Sequence, residues 1–312
     1  MKQNHTRSHG YTMVELLVSL VVSFILIGGI VQVTATQKIA YRIQHAVNIL
    51  NENARFAVQF MDYSLRMSDH WGGIESRVIR GDPASSGPGT CGQAWINDVG
   101  EALRGYDGGA VAPLGCVQPA SDYQPGTDML VVRYAKPEIV LAPAAGGIYL
   151  RTALGRQGIL FEGSEGVPTA LPDEDGTYTF PYVTELYYVR RCSSPGGGDD
   201  PDACDANDDD GNPIPMLIRL RLNDNGQMSA QPLVEGVEDL QLRFGLDFDM
   251  DSVPDQYADP ANIAPDQWDD VVTAELNIVV RGFSKGTHSG KGIDFPVKSF
   301  IHVVQLRNRS RS

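Results

Sequence analysis

Apolar residues follow two regimes along this chain, an uncharged block near the N-terminus and, after it, two different periodicities. From Leu16 to Gln37 there are 22 residues without Asp, Glu, Lys or Arg. As a helix rising about 1.5 Å per residue this run spans roughly 33 Å, enough to cross a hydrocarbon core of about 30 Å. Apolar positions then recur at Ile39, Ile43, Val47, Leu50, Ala54, Ala57, Met61 and Leu65, with Arg42, Gln44, Asn48, Asn51, Arg55, Gln59 and Asp62 between them. Steps of three and four predict an amphipathic helix continuous with the first, so that residues 12–66 form one rod of roughly 80 Å. The rod is expected to stop before Trp71-Gly72-Gly73. Gly28-Gly29 interrupts its apolar half at about 1 kcal/mol per glycine relative to alanine, which reads either as a close-packing point or as a place where the rod can loosen.

Beyond the rod the period changes. Residues 81–126 are rich in Gly, Pro, Ser and Ala, show little periodicity, and predict an irregular loop region. Strand-like runs follow at Met129 to Tyr134, Ile139 to Ala142, Gly147 to Thr152, Ile159 to Glu162, Val183 to Arg191, Met216 to Leu222, Val237 to Phe248, Val271 to Phe283 and Phe300 to Leu306. Leu217 to Leu222 and Ala274 to Arg281 alternate, as half-buried antiparallel strands do. The expected fold class is therefore α+β, a long N-terminal helix packed on a mainly antiparallel β-sheet. The expected divisions are 11–38 for the membrane-spanning half of the helix, 39–68 for its amphipathic half, 69–126 for the loop region and 127–312 for a β-rich globular domain.

Composition narrows the partners. A net charge of −14 opposes bulk attraction to phosphate backbones or anionic headgroups, so general nucleic-acid binding is not expected. Lys2 and Arg7 precede the apolar run and belong on the cytoplasmic side, which places everything after Lys38 across the membrane. Four cysteines on an exported chain fit two disulfides; three connectivities exist, and the local pairing Cys91–Cys116 and Cys192–Cys204 is adopted here. No CxxC or Cys/His spacing suggests zinc. A secretory signal would place its small-residue cleavage site after the apolar run, and neither that nor a plain signal anchor accounts for Glu15 at the edge of the block.

Gly10 followed by Tyr11-Thr12-Met13-Val14-Glu15 resembles the type IV prepilin signature: a short basic leader ending in glycine, an apolar helix directly after it, and a glutamate at the fifth mature position. The resemblance implies a pilin-like fold and a leader, residues 1–10, removed by a prepilin peptidase that cuts after Gly10 and N-methylates Tyr11. It also implies that the Glu15 carboxylate pairs with the N-terminal amine of a neighbouring subunit, which offsets the cost of burying either charge alone and fixes axial register. The chain departs from the family in starting its mature form with Tyr11 instead of phenylalanine. Loss of Lys2 and Arg7 with the leader takes the net charge to −16.

Later segments narrow the resemblance. Asn53 to Ala57 with Leu65-Arg66-Met67, the run Leu233 to Leu242 leading into Phe244-Gly245 and Asp247, and Leu306-Arg307-Asn308-Arg309 are similar, in order, to PilW-type minor pilins. Residues 70–230 carry no such motif. The resemblance implies a structural, non-catalytic minor pilin that helps initiate assembly of a type IV pilus, in a priming or tip complex, and is built into it. Implied partners are other minor pilins, the major pilin, the prepilin peptidase and the inner-membrane assembly platform. Implied locations are the bacterial inner membrane, with the globular domain in the periplasm, and then the pilus. A pseudopilin of a type II secretion system is the alternative, and a DNA-uptake pilin stands behind it.

One segment raises a question of chemistry. Asp247, Asp249, Asp251 and Asp255 occupy positions 1, 3, 5 and 9 of a loop, the spacing by which alternating carboxylates converge on calcium. Ser252 stands where the template has glycine and Ala258 where it has a bidentate acid, so the competing reading is a solvated acidic turn. No cofactor is otherwise required. Catalysis is not expected: the six histidines are scattered, Gly-x-Ser-x-Gly is absent, and Gly286 to Lys291 is one residue short of a phosphate loop.

Overall fold

The computed structural model describes residues 11–196, 203–283 and 295–309. Helix α1 runs Met13–Met67 without interruption. Its apolar N-terminal half is long and hydrophobic enough to cross a membrane, and none of that stretch is buried within the chain. From Ala46 onward one face sinks into the domain through Ala46, Leu50, Ala54, Ala57, Met61, Ser64 and Leu65; the spacing read from the sequence holds from Leu50 to Leu65, whereas Ile39, Ile43 and Val47, expected on the same face, stay exposed because the domain reaches the helix only at Ala46. An added Cβ at Gly28 or Gly29 meets nothing within 4 Å, so no contact within this chain requires either glycine.

Twelve strands follow: β1 (Ile79–Arg80), β2 (Leu103–Tyr106), β3 (Met129–Ala135), β4 (Ile148–Ala153), β5 (Gln157–Glu162), β6 (Thr177–Arg190), β7 (Met216–Leu222), β8 (Met228–Glu235), β9 (Val237–Leu246), β10 (Gln256–Ala258), β11 (Val271–Arg281) and β12 (Val297–Gln305). The larger sheet runs β1-β5-β4-β6-β3-β2, with β7 added to β6 and β8 to β7; the smaller runs β10-β9-β11-β12. β1 pairs with β5 in parallel and the other named pairs are antiparallel. The α+β layout is as the sequence predicts. Ile139 to Ala142, expected as a strand, is not one: flanked by Pro137 and Pro143, it contributes one backbone bond to β6, Val140 N–H to Thr179 O. β8 was not expected because Pro232 interrupts its pattern, and β1, β2 and β10 are too short to show a period.

The two faces of the larger sheet serve different cores. Leu130, Val132 and Tyr134 of β3 join α1 and the smaller sheet in one core, while Met129, Val131 and Ala135 join a second one with Trp71, Ile96 and the Cys91–Cys116 bridge. Residues 69–126, read as irregular, thus cover this second face and supply β1, β2 and the four-residue helix α2 (Gln93–Ile96). Fixed side chains hold them there. Arg133, fully buried, donates to the carbonyls of Glu101 and Trp95, and Tyr182 and Thr184 both donate to Ile96 O, at 2.7 and 2.8 Å.

Under α1 lies one buried acid. Glu185 of β6 is fully enclosed; its Oε2 accepts from Ser64 Oγ of α1 at 2.5 Å and from Tyr187 OH at 3.1 Å. Its Oε1 faces Arg219 Nη1 and Arg221 Nε of β7, each at 3.3 Å. Burial, together with the nearby Glu185 charge, pushes the Tyr134 and Tyr187 phenols well above their ordinary range. A second buried acid joins the sheets: Asp128 accepts from Gly108 N–H at 2.8 Å and Leu242 N–H at 2.7 Å, and its own N–H donates to Leu240 O. Desolvation raises its carboxyl from 3.8 to about 6 against those two bonds.

Two stability measurements follow from these acids. Glu185→Ala strands two arginines beneath the helix and should cost about 3 kcal/mol in chemical denaturation of the detergent-solubilised chain. Glu185→Gln should cost less, and equal, negligible losses for both would remove the node from the account. For Asp128, whose folded value lies above the unfolded one, the contribution to stability is complete below about 4 and lost as pH rises through about 6. Lowering pH from 7 to 5 should therefore stabilise the native chain by about 1 kcal/mol relative to Asp128→Asn.

Candidate functional site

The N-terminus of α1 is built by its own first turn. Thr12, in extended backbone conformation, caps the helix. Glu15 N–H donates to Thr12 Oγ1 at 3.3 Å, while Thr12 N–H and Oγ1 donate to Glu15 Oε2 at 2.8 and 2.9 Å. This reciprocal pair satisfies two otherwise orphaned donors. It also folds the Glu15 carboxylate back to the backbone of Thr12, one residue from Tyr11, which is 87% exposed. Gly10 lies outside the described residues. Thr12 had no role in the sequence reading, although Thr-x-x-Glu before an apolar run is a legible capping signal.

The segments that carried the PilW resemblance meet on α1. Asn53 Nδ2 donates to Glu235 O at 2.8 Å, and Asn308 Nδ2 donates to Arg66 O and Ser68 O at 3.1 and 3.0 Å. Between β8 and β9 the chain turns at Gly236, with φ of 80°, where an added Cβ would stand 2.6 Å from Arg281 O. Only glycine meets both the left-handed turn and the close approach of β11. Helix end, hairpin and C-terminal segment are thus three parts of one docking surface for the helix.

The four acids after β9 form a tight turn between β9 and β10. Asp247, 6% exposed, accepts from the N–H groups of Met250, Asp251 and Ser252 at 2.7, 3.3 and 2.8 Å. Asp255 accepts from Phe248 N–H at 2.8 Å and Asp251 from Val253 N–H at 2.8 Å. Carboxylate oxygens of Asp247, Asp249 and Asp255 lie within 4.8 Å of one another, and Asp251 is not in that trio. The charge of Asp251, with Asp255 and Asp247 behind it, raises the exposed Asp249 carboxyl. Three hard oxygens suit a divalent cation, but calcium takes six to eight, and the backbone N–H groups already occupy part of what these acids offer. The cysteines are joined as Cys91–Cys116 and Cys192–Cys204, with Cα separations of 5.2 and 5.6 Å.

Comparison with known families agrees with this geometry. Residues 187–308 match the family described as Type IV Pilus-assembly protein W, and residues 5–31 match the prokaryotic N-terminal methylation motif. The chain is a type IV prepilin-like protein of the PilW type. The PilW match begins within β6 and ends just past β12, so it includes Gly236 and Asn308. PilW and methylation-motif membership make this a type IV pilus-related minor pilin and point to a structural, non-catalytic role. The methylation motif and the apolar half of α1 point to a membrane-anchored pilin. No curated protein and no solved structure matches the chain.

The Asp247 turn yields a direct test. Asp247→Ala frees three N–H groups and should cost about 2 kcal/mol, whereas Asp249→Asn relieves repulsion and should leave the melting temperature equal or higher in low salt with chelator. Titration with calcium then separates the two readings. A rise in melting temperature for the native chain and not for Asp249→Asn marks a cation site, and no shift in either leaves a hydrogen-bonded acidic turn.

Proposed function

We propose that this PilW-type protein is a minor pilin that helps start assembly of a type IV pilus, as part of a priming or tip complex, and is then incorporated. One observation carries the reading: a 55-residue helix is locked to its domain over its second half and left bare over its first. The bare half needs an apolar solvent on all sides. A bilayer supplies it before assembly, and the packed helices of neighbouring subunits supply it afterwards. Tyr41, Phe56 and Tyr63 extend an exposed apolar stripe beyond the membrane-spanning half, where further subunits can pack.

In this reading a prepilin peptidase cuts after Gly10 on the cytoplasmic face and methylates Tyr11, and the globular domain stands in the periplasm. Glu15 then has two successive partners. In the lone subunit it caps its own helix through Thr12; in the filament it takes the amine of a neighbouring subunit, while Gly28-Gly29 gives the rod a soft point for the transfer. The other minor pilins, the major pilin and the inner-membrane platform are the remaining partners.

In-frame deletion should abolish surface pili while the major pilin stays in the membrane; normal piliation would refute the assembly role. Glu15→Ala should be cleaved after Gly10 as usual yet fall roughly a hundredfold in sheared pili, the equivalent of about 3 kcal/mol of lost charge pairing. Native levels of the variant in the sheared fraction would exclude that role for Glu15.

A further inference from the structure

The larger sheet carries a cavity of about 260 Å³ on the face that meets α1, lined by Lys136 after β3, Tyr149 of β4, Arg221 of β7, Asn223 just past it and Gln231 of β8. These side chains share one property: each leaves a donor end open. Arg221 turns Nε to Glu185 Oε1 at 3.3 Å, which leaves its Nη1 and Nη2 groups. Gln231 Oε1 accepts twice from Arg219, at 3.2 and 2.7 Å, and its amide N–H groups remain. Asn223 Oδ1 accepts from Asn225 N–H and Gln227 N–H at 2.9 and 3.1 Å, again leaving the NH2 end. Tyr149 OH accepts from Ala144 N–H at 2.9 Å and keeps its own proton to donate. Lys136 brings an ammonium group. Among the described residues nothing accepts a hydrogen bond from these donor ends. The amide and phenol oxygens are used within the fold, and what faces a ligand is a set of donors.

Charge points the same way. Arg219 and Arg221 each stand 3.3 Å from the same Glu185 oxygen, so one buried carboxylate answers two guanidinium groups. Lys136 adds a further positive charge, and the exposed acids Asp224, on the cavity lining, and Glu138 pair with neither Lys136 nor Arg221. The Arg221 side chain is only 23% exposed, so its spare N–H groups lie where solvent screens charge weakly. A planar guanidinium fits two oxygens of one anionic group, and an ammonium beside it adds a charge-assisted bond. A cationic ligand would meet like charge.

We propose that this cavity binds an oxyanion, a carboxylate, sulfate or phosphate group held by Arg221 and Lys136 and oriented by Tyr149, Asn223 and Gln231. Two sources can present that group: a small anion free in solution, or an acidic side chain of a neighbouring subunit. The site does not rest on the assembly role above.

The test begins with the full-length chain in detergent, titrated calorimetrically at constant ionic strength with sulfate, inorganic phosphate, citrate and glucuronate. A free anion should bind saturably and raise the melting temperature, with affinity about tenfold lower in Lys136→Gln and in Arg221→Gln and about threefold lower in Tyr149→Phe. Lys298→Gln removes a positive charge elsewhere and should change nothing. Arg221 also faces Glu185, so if Arg221→Gln folds poorly, Lys136→Gln and Tyr149→Phe carry the test without touching that contact. The second arm uses membranes and sheared pili, treated with a carbodiimide that joins an amine directly to a carboxylate. Coupling of Lys136 to another subunit, suppressed by glucuronate, assigns the group to a neighbour's side chain; saturable binding without coupling assigns it to a free anion. Absence of both, or binding that is unchanged in Lys136→Gln and Tyr149→Phe, would overturn the proposal. Normal pili on deletion would reject the assembly role alone, because the titration is read on the isolated chain.

Discussion

The enclosed Glu185 carboxylate is the constraint around which the helix and the larger sheet are arranged. It receives a hydrogen bond from Ser64 of the helix and lies between two arginines of β7. A buried charge of this kind is tolerated only when its partners are correctly placed, so the node fixes how far along the sheet the helix sits. Apolar contacts at Leu50, Ala57, Met61 and Leu65 supply affinity without register; the polar node supplies register. The bare half of α1 projects from the domain at an angle set by this junction.

Around that junction the helix is tied at several heights. Asn53 bonds the β8–β9 hairpin, Asp62 meets His302 of β12 at 2.9 Å, and Asn308 bonds the last carbonyls of the helix. Burial opposes the charge on Asp62, but the bonds from Arg66 and His302 outweigh it and hold the carboxyl below its usual range. Force transmitted along the helix therefore reaches both sheets. The smaller sheet is joined to the larger by Asp128.

The N-terminal cap gives Glu15 a partner within its own first turn. Within the single chain, Glu15 completes a capping box and leaves no orphaned donor at Thr12. That bond is local and replaceable, which suits the change of partners proposed for Glu15.

Patterns that depend on neighbours in sequence were legible without the structure. An uncharged run of 22 residues, a three-four spacing from Ile39 to Leu65, and alternation in β7 and β11 each report a local geometry, and the helix and most strands follow from them. The methylation motif matched over residues 5–31, which contains Gly10, Tyr11 and Glu15, was legible because its residues lie side by side in the chain. β8 and the cover over the second core were not, because Pro232 breaks the one pattern and Arg133, Tyr182 and Thr184 hold the other through contacts between residues far apart in the chain. Nor could spacing decide the Asp247 loop: Asp251 alternates as the calcium template asks, yet the turn leaves it outside the trio formed by Asp247, Asp249 and Asp255. The sequence by itself determined the anchor, its processing motif and the class of fold, since these rest on periods and adjacent residues. Only the tertiary structure decided which acids are buried together and what fixes the helix on the sheets, since those depend on residues that meet through folding alone.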